Sequence, residues 1–266
     1  MWALDDCQGY AKDGKKYFDT CYEYHRVFWE RGIDCDVVSP KADLSRYAIV
    51  AAPMLYLTDG ETADNLKRYV EEGGTLVGTY MLGTVEEHDL CWLGGFPGGG
   101  LRDVFGVWAE EIDTLYPHER QHAVLDGAEH ELVDYCEVIH PEGAETLAVY
   151  TDGYYQGMSA VTAHRWGKGL AVYQACRDSG TLKEALFARL IEETGISSPV
   201  VGELPHGVTA HTRTDGKRVY VFVENYSDRE TVRVPLAAPM TDLLTAEVRE
   251  ECTLPPYSFG VFRWEK

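Results

Sequence analysis

The chain has 266 residues, with 44 acidic against 24 basic side chains and a formal charge of −20. Its 45% apolar content is that of a folded globular chain, and its length suits about two domains. An acidic surface repels phosphate backbones and anionic lipid headgroups, so nucleic acid and membrane surfaces are excluded as partners. The charge is uneven. Residues 200–266 carry 10 acidic and 8 basic groups, which leaves a net −18 on residues 1–199. A boundary is expected near that point.

The longest nearly apolar run, 47–57, is far short of the ~20 residues that span a bilayer. Met1-Trp-Ala-Leu-Asp-Asp6 has neither a basic nor an apolar leader region. The seven cysteines are scattered, without a CxxC spacing. Reduced thiols and a cytoplasmic location are the expectation.

The spacing of Cys21, Tyr24 and Phe28 predicts a helix over 17–31 that stops at Gly32. A short strand is expected at 35–38. The apolar run 47–52 reads as a strand buried on both faces. Thr58-Asp-Gly-Glu61 is a capping box, with Ala63, Leu66 and Val70 as the inward stripe behind it. Gly73-Gly74 ends that helix, and 75–81 is the next strand. This alternation predicts an open, mostly parallel α/β sheet.

Residues 82–100 hold six glycines together with Trp92, Phe96 and Pro97. A segment this long without its own pattern is expected to be an ordered functional loop. It should project from the carboxyl ends of the strands, with at least one of its two rings exposed. A short helix follows at 101–105. Residues 159–166 and 170–175 flank Gly-Lys-Gly as a hairpin. Thr181-Leu-Lys-Glu184 opens a helix with Leu182, Leu186 and Leu190 inward. After Ser197-Ser-Pro199 the apolar period becomes two. Strands are expected at 208–212, 218–223, 231–235, 243–248 and 259–264, with a tight hairpin at Asp215-Gly216. The domains are therefore drawn at 1–198 and 199–266.

Four patterns could carry chemistry. His118-Glu-Arg-Gln-His122 satisfies the HExxH pattern, which needs two histidines one turn apart on a helix. Tyr116-Pro117 before it and Asp126-Gly127 after it leave no room for that helix, so a surface loop is expected and His118 and His122 read as a decoy. Gly94 to Gly100 matches no phosphate-binding fingerprint. Cys176 follows a strand beside Arg177, a pairing that can activate a thiol, although a buried inert thiol is the plainer reading. Glu86-Glu-His-Asp89 is the densest acidic cluster beside aromatic residues. With Trp92 and Phe96, Glu86 and His88 mark a loop that could face a sugar or a neighbouring subunit. No cofactor is expected.

Three stretches carry a resemblance to a known family. They are Ala42 to Leu57 running on through Tyr69 to Val77; Val85-Glu-Glu-His-Asp89 with Leu93-Gly-Gly-Phe-Pro-Gly98; and Asp242-Leu-Leu-Thr-Ala-Glu247 with Leu254-Pro-Pro-Tyr257. Together they resemble the C-terminal half of a glycoside hydrolase family 42 β-galactosidase. The resemblance implies a trimerisation domain of flavodoxin-like or class I glutamine amidotransferase-like fold, with helices on both sheet faces, followed by a small β-sandwich. Trp2-Ala-Leu4 is similar to the end of that domain's first strand.

In the family, the catalytic glutamates lie in a (β/α)8 barrel, which takes about 250 residues by itself. No family catalytic residue has a counterpart here. The resemblance therefore implies an oligomer-forming accessory module that associates with itself as a trimer or with a barrel-containing subunit. The other reading is a stand-alone hydrolase on an amidotransferase-like fold, metal-dependent through His118 and His122.

Overall fold

A computed structural model describes residues 16–264. The likeness at Trp2 to Leu4 lies outside them. Contacts divide the chain into two compact units. One gathers the described residues up to Tyr24 with Val38–Thr194, the other His25–Val37 with the residues from Gly195 on. No helix among the described residues is long and apolar enough to cross a membrane.

The first unit begins with α1 (Tyr17–Trp29, of which 17–24 belong here), then β1 (Ile49–Ala52), α2 (Gly60–Glu72) and β2 (Thr75–Thr79). The capping residue of α2 is Asp59, not Thr58: its carboxylate accepts the Thr62 N–H at 2.8 Å. At the other end Gly73, with φ 124°, turns its N–H back onto the carbonyls of Tyr69 and Val70. Ala63, Leu66 and Val70 are buried as their spacing predicts.

A short α3 (Leu101–Phe105) leads into four strands: β3 (Val107–Thr114), β4 (Gln121–Leu125), β5 (Ala128–Pro141) and β6 (Glu145–Tyr150). Then come the hairpin of β7 (Ser159–Trp166) and β8 (Gly169–Gln174), the short β9 (Cys176–Asp178) and α4 (Thr181–Thr194). Asp178 accepts the N–H groups of Gly180 and Lys183 at the start of α4. Leu182, Leu186 and Leu190 face inward.

The sheet runs β1-β2-β8-β7-β6-β4-β5-β3, with β9 on β5. Among the described strands β1–β2 and β2–β8 are parallel, and their other pairings are antiparallel. The expectation of a mostly parallel sheet is corrected to a mixed one. The parallel part was visible as buried apolar runs, but the antiparallel strands are built from mixed polar and apolar residues.

Helices do lie on both faces. Tyr173 and Gln174 are neighbours in β8 and point to opposite sides. Tyr173 packs edge-on to Phe105 of α3, whereas Gln174 accepts the Tyr24 hydroxyl of α1. Tyr24 in turn meets Phe187 of α4. The expected strand at 35–38 does not form: the backbone there is irregular and Val37 is exposed.

The second unit contains β10 (Val208–Thr214), β11 (Val219–Asn225), β12 (Val232–Asp242), β13 (Val248–Leu254) and β14 (Ser258–Trp264). Its sheet runs β10-β11-β14-β12-β13, all antiparallel. This is one five-stranded sheet, not the two of a sandwich. Strands from both ends of that order, β10 and β13, supply residues to one core around Val223, Met240 and Phe262, so the sheet folds over on itself. The segment expected as a strand at 243–248 is a turn that accepts Asp242 backbone bonding, and the strand begins at Val248.

Candidate functional site

The carboxyl ends of β1 and β2 emerge side by side because the two strands are parallel. The segments that follow are tied together. Gly83 N–H donates to Leu55 O, Thr84 N–H to Tyr56 O and Thr58 N–H to Val85 O, all within 3.0 Å. Further bridges join Val85 to Cys91 and Phe96 to Ala109. The loop is thus ordered by its own backbone bonding and sits at the strand ends, where open α/β sheets place their working loops.

Its aromatic residues behave differently from expectation. Trp92 is half-buried. Its Nε1–H donates to Thr58 O at 3.1 Å, and its ring lies on Gly98, where a Cβ would fall 2.2 Å from Cγ. Glycine is required there for the close approach. Phe96 is also half-buried, packed against the core around Phe105. Neither ring is exposed, which corrects the expectation for this loop. The outward side chains are Leu93, 97% exposed, and Leu90, 65% exposed.

Glu86 and His88 meet at the loop's tip, Oε2 to Nδ1 at 2.9 Å, and Glu86 also accepts the N–H of His88. This contact raises the His88 pKa and lowers that of Glu86. Glu86, Glu87 and His88 could together offer three ligand atoms to a cation. Exposed acidic groups of this kind are ordinary surface features, and nothing buried supports them.

A more perturbed carboxyl lies below the loop, where sequence reading did not place one. Glu137 of β5 is 7% exposed. Its Oε2 accepts the Tyr173 hydroxyl at 2.6 Å and its Oε1 accepts the Met81 N–H at 3.3 Å. Burial raises the Glu137 carboxyl to about 7, although both hydrogen bonds pull it down. Met81 follows β2 with φ 63°, a left-handed conformation unusual for a non-glycine residue. In α/β hydrolytic folds a tight turn of this kind after a strand presents a nucleophile. Here it presents a thioether, and its N–H is committed to Glu137. The signal that could have found this centre is a single glutamate inside the apolar run 135–139.

The other candidates are not brought together. Pro117 and His118 lie in a turn and Gln121 and His122 enter β4, so no helical face aligns the two imidazoles. His118 stacks on Tyr116, while His122 Nδ1 pairs with Asp152 Oδ2 at 2.8 Å. That bond raises the His122 pKa. Cys176 is fully buried and its thiol pKa is pushed well up by burial, the opposite of activation.

Comparison with known proteins accounts for a loop-bearing α/β unit without a nucleophile. The family model described as the β-galactosidase trimerisation domain matches residues 1–197, and that of the β-galactosidase C-terminal domain matches residues 207–263. The chain belongs to the glycoside hydrolase family 42 β-galactosidases. β-Galactosidase Pbg of Clostridium perfringens is 37% identical over 98% of this chain, which spans 39% of that protein. β-Galactosidase BglY of Alicyclobacillus acidocaldarius is 42% identical over 85% of this chain and 34% of its own length. A solved structure of a catalytic mutant of Gan42B, a GH42 β-galactosidase from G. stearothermophilus, superposes with a TM-score of 0.90 at 38% identity. It covers 100% of this chain, which spans 39% of that one. The 266 residues thus correspond to the C-terminal part of these β-galactosidases, the part that contains the trimerisation domain.

Proposed function

We propose that this chain is the assembly part of a cytoplasmic β-galactosidase and hydrolyses no glycoside by itself. In this reading residues 1–198 drive homotrimer formation or docking to a barrel-bearing subunit, and residues 199–266 form the terminal β module. The parallel core of β1, β2 and β8 is of the flavodoxin-like and glutamine amidotransferase-like kind, with the catalytic turn left empty of a nucleophile. Leu90 and Leu93 are the side chains offered to the neighbouring subunit, with Glu86 and His88 at their rim. Trp92 and Phe96 hold the loop in place for them. No cofactor is required.

The observation that carries this reading is the match of the trimerisation model to residues 1–197. It is supported by the turn at Met81, whose N–H is bound by the chain's own Glu137 and not held free for an oxyanion. The purified chain is expected to give no turnover of a chromogenic β-galactoside. In light scattering at two ionic strengths it should form trimers, more readily at high salt, which screens the charge of −20. Turnover that survives purification and disappears on a point substitution in this chain would overturn the first part. A monomer at every concentration and salt would overturn autonomous trimerisation.

A further inference from the structure

Two of the buried cysteines stand opposite each other. Cys136 of β5 and Cys176 of β9 are direct partners in an antiparallel register. Next to them, Glu137 N–H donates to Ala175 O at 2.7 Å. A bond between the flanking residues makes the cysteines a non-hydrogen-bonded pair. In such pairs the Cα atoms approach to about 4.5 Å and the two side chains lean together on one face. A disulfide needs Cα atoms about 4.4–6.8 Å apart.

The surroundings agree independently. The Tyr150 hydroxyl donates to Glu137 O at 3.0 Å and to Ala175 O at 3.2 Å, the residues that flank the two cysteines, and the Tyr155 ring lies 4.7 Å from that of Tyr150. One hydroxyl therefore binds both strands beside the cysteine pair. Other described cysteines lack such an arrangement: Cys252 pairs with Val234 and Cys91 with Val85.

We propose that Cys136 and Cys176 are a redox modification site, a cross-strand thiol pair that a peroxide converts to a disulfide. One thiolate attacks a peroxide oxygen, giving a sulfenic acid and one water. The other thiol then attacks that sulfur, forming the S–S bond and releasing the second water. Two thiols and one hydrogen peroxide yield one disulfide and two waters.

Burial pushes the Cys136 thiol up to about 12 and raises the Cys176 thiol well above its ordinary value. Both are free and fully buried. The pair therefore stays reduced in ordinary conditions and reacts slowly, with an oxidant about the size of water.

The location gives the bond a consequence. β9 is three residues long and lies off the main strand order. Arg177 within it holds Glu23 and Asp134, and Asp178 starts α4. A disulfide at Cys176 staples this junction to β5 and closes a loop of about 40 residues, enough to raise the melting temperature by about 5–10 °C.

The test is to expose the folded chain to hydrogen peroxide, alkylate it under denaturing conditions and map the peptides without reduction. The expected product is a Cys136–Cys176 linked peptide that is lost with dithiothreitol. A rise in melting temperature should accompany it, be reversed by dithiothreitol, and be absent from Cys176→Ala. Recovery of both residues as free thiols or as separate sulfinic acids, after the exposed Cys91 has been fully oxidised, would overturn the proposal. The wild-type peptide map decides the matter even if the variant fails to fold.

Discussion

The two units bury their interiors in opposite ways. The first encloses Glu137, Arg177, Asp178, Lys183, Gln174 and His130 along with its apolar residues. The second is nearly dry, its core made of valines, Ala210, Leu236, Met240, Cys252, Leu254 and Phe262, with Thr209 and Asn225 as its buried polar residues; burial pushes the Cys252 thiol up to about 11, so it stays neutral at ordinary pH. Asn225 is satisfied: its Nδ2 donates to Glu230, Leu254 and Pro255 carbonyls and its Oδ1 accepts from Ser227. A dry core depends on volume alone. A core with ionisable groups depends also on their partners and on pH. One chain thus contains a unit sensitive to proton concentration beside one that should not be.

The largest effect should come from the ion cluster of the first unit. Glu23 accepts Arg177 Nη2 at 2.7 Å and Lys183 Nζ at 3.2 Å. Arg177 is 6% exposed and Lys183 2%. Glu23→Ala leaves two buried cations short of their carboxylate. Losing one partner of a fully buried pair costs about 3–5 kcal/mol, an upper bound here because the Glu23 side chain is 27% exposed. Urea denaturation should show the first unit's transition move by up to that amount. A shift below about 1 kcal/mol would mean that water or Asp134 supplies the missing charge.

The matching probe of the dry core is Met240→Ala. Met240 is fully buried, and truncation leaves a cavity costing about 2–5 kcal/mol. The decisive feature is that this loss stays constant between pH 5 and pH 9. A pH-dependent loss would show that the second unit's stability is not independent of ionisation, and the contrast between the units would fail.

What the sequence shows about these interiors follows the same division. The helical stripe of Ala63, Leu66 and Val70 and the inward leucines of α4 are local patterns, and the structure confirms them. So are the runs that became β1, β2 and β8. The strands β3 to β6 were not legible. β5 begins with exposed Ala128 and Glu129, alternates, passes Asp134 at φ 60°, and only then becomes continuously buried. No single period describes it, because its partners change along its length from β4 to β3 and β9. The site fared likewise. The loop's position followed from the strand before it. The fate of Trp92 depended on the carbonyl of Thr58 and the bare backbone of Gly98, contacts that no spacing reveals. Glu137 was one acid among 44 until the fold put Tyr173 and Met81 against it.

Glu137 sharpens the comparison through pH. Its folded pKa is about 7, raised from 4.5. Between those values the folded state retains a proton that the unfolded state has lost. Its contribution is therefore most favourable below pH 4.5, declines as pH rises through 7, and is level above that. A shift of this size corresponds to at most about 3 kcal/mol between the two limits. Glu137→Gln mimics the protonated form. The variant should gain on the wild type as pH rises from 5 to 8, with no such trend for Met240→Ala. Parallel pH curves for wild type and Glu137→Gln would show that the carboxyl is ionised in the fold throughout.

The smallest effect on folding is expected at the most exposed apolar residue of the loop. Leu93 has almost all of its surface in solvent, so its side chain contributes little to the stability of its own unit. Leu93→Ser should leave the melting curve of the isolated monomer within about 0.5 kcal/mol of wild type. Association is another matter. An apolar side chain held outward by a backbone-bonded loop gains its burial only against a partner, and covering a leucine is worth about 1.5–3 kcal/mol per contact. Three symmetric contacts multiply that in a closed trimer. Sedimentation of the two chains over a range of concentrations separates the two roles. A variant with unchanged melting and weakened assembly places Leu93 in the subunit contact. A variant that assembles as wild type does removes this loop from the interface and leaves its glycines explained by Trp92 packing alone.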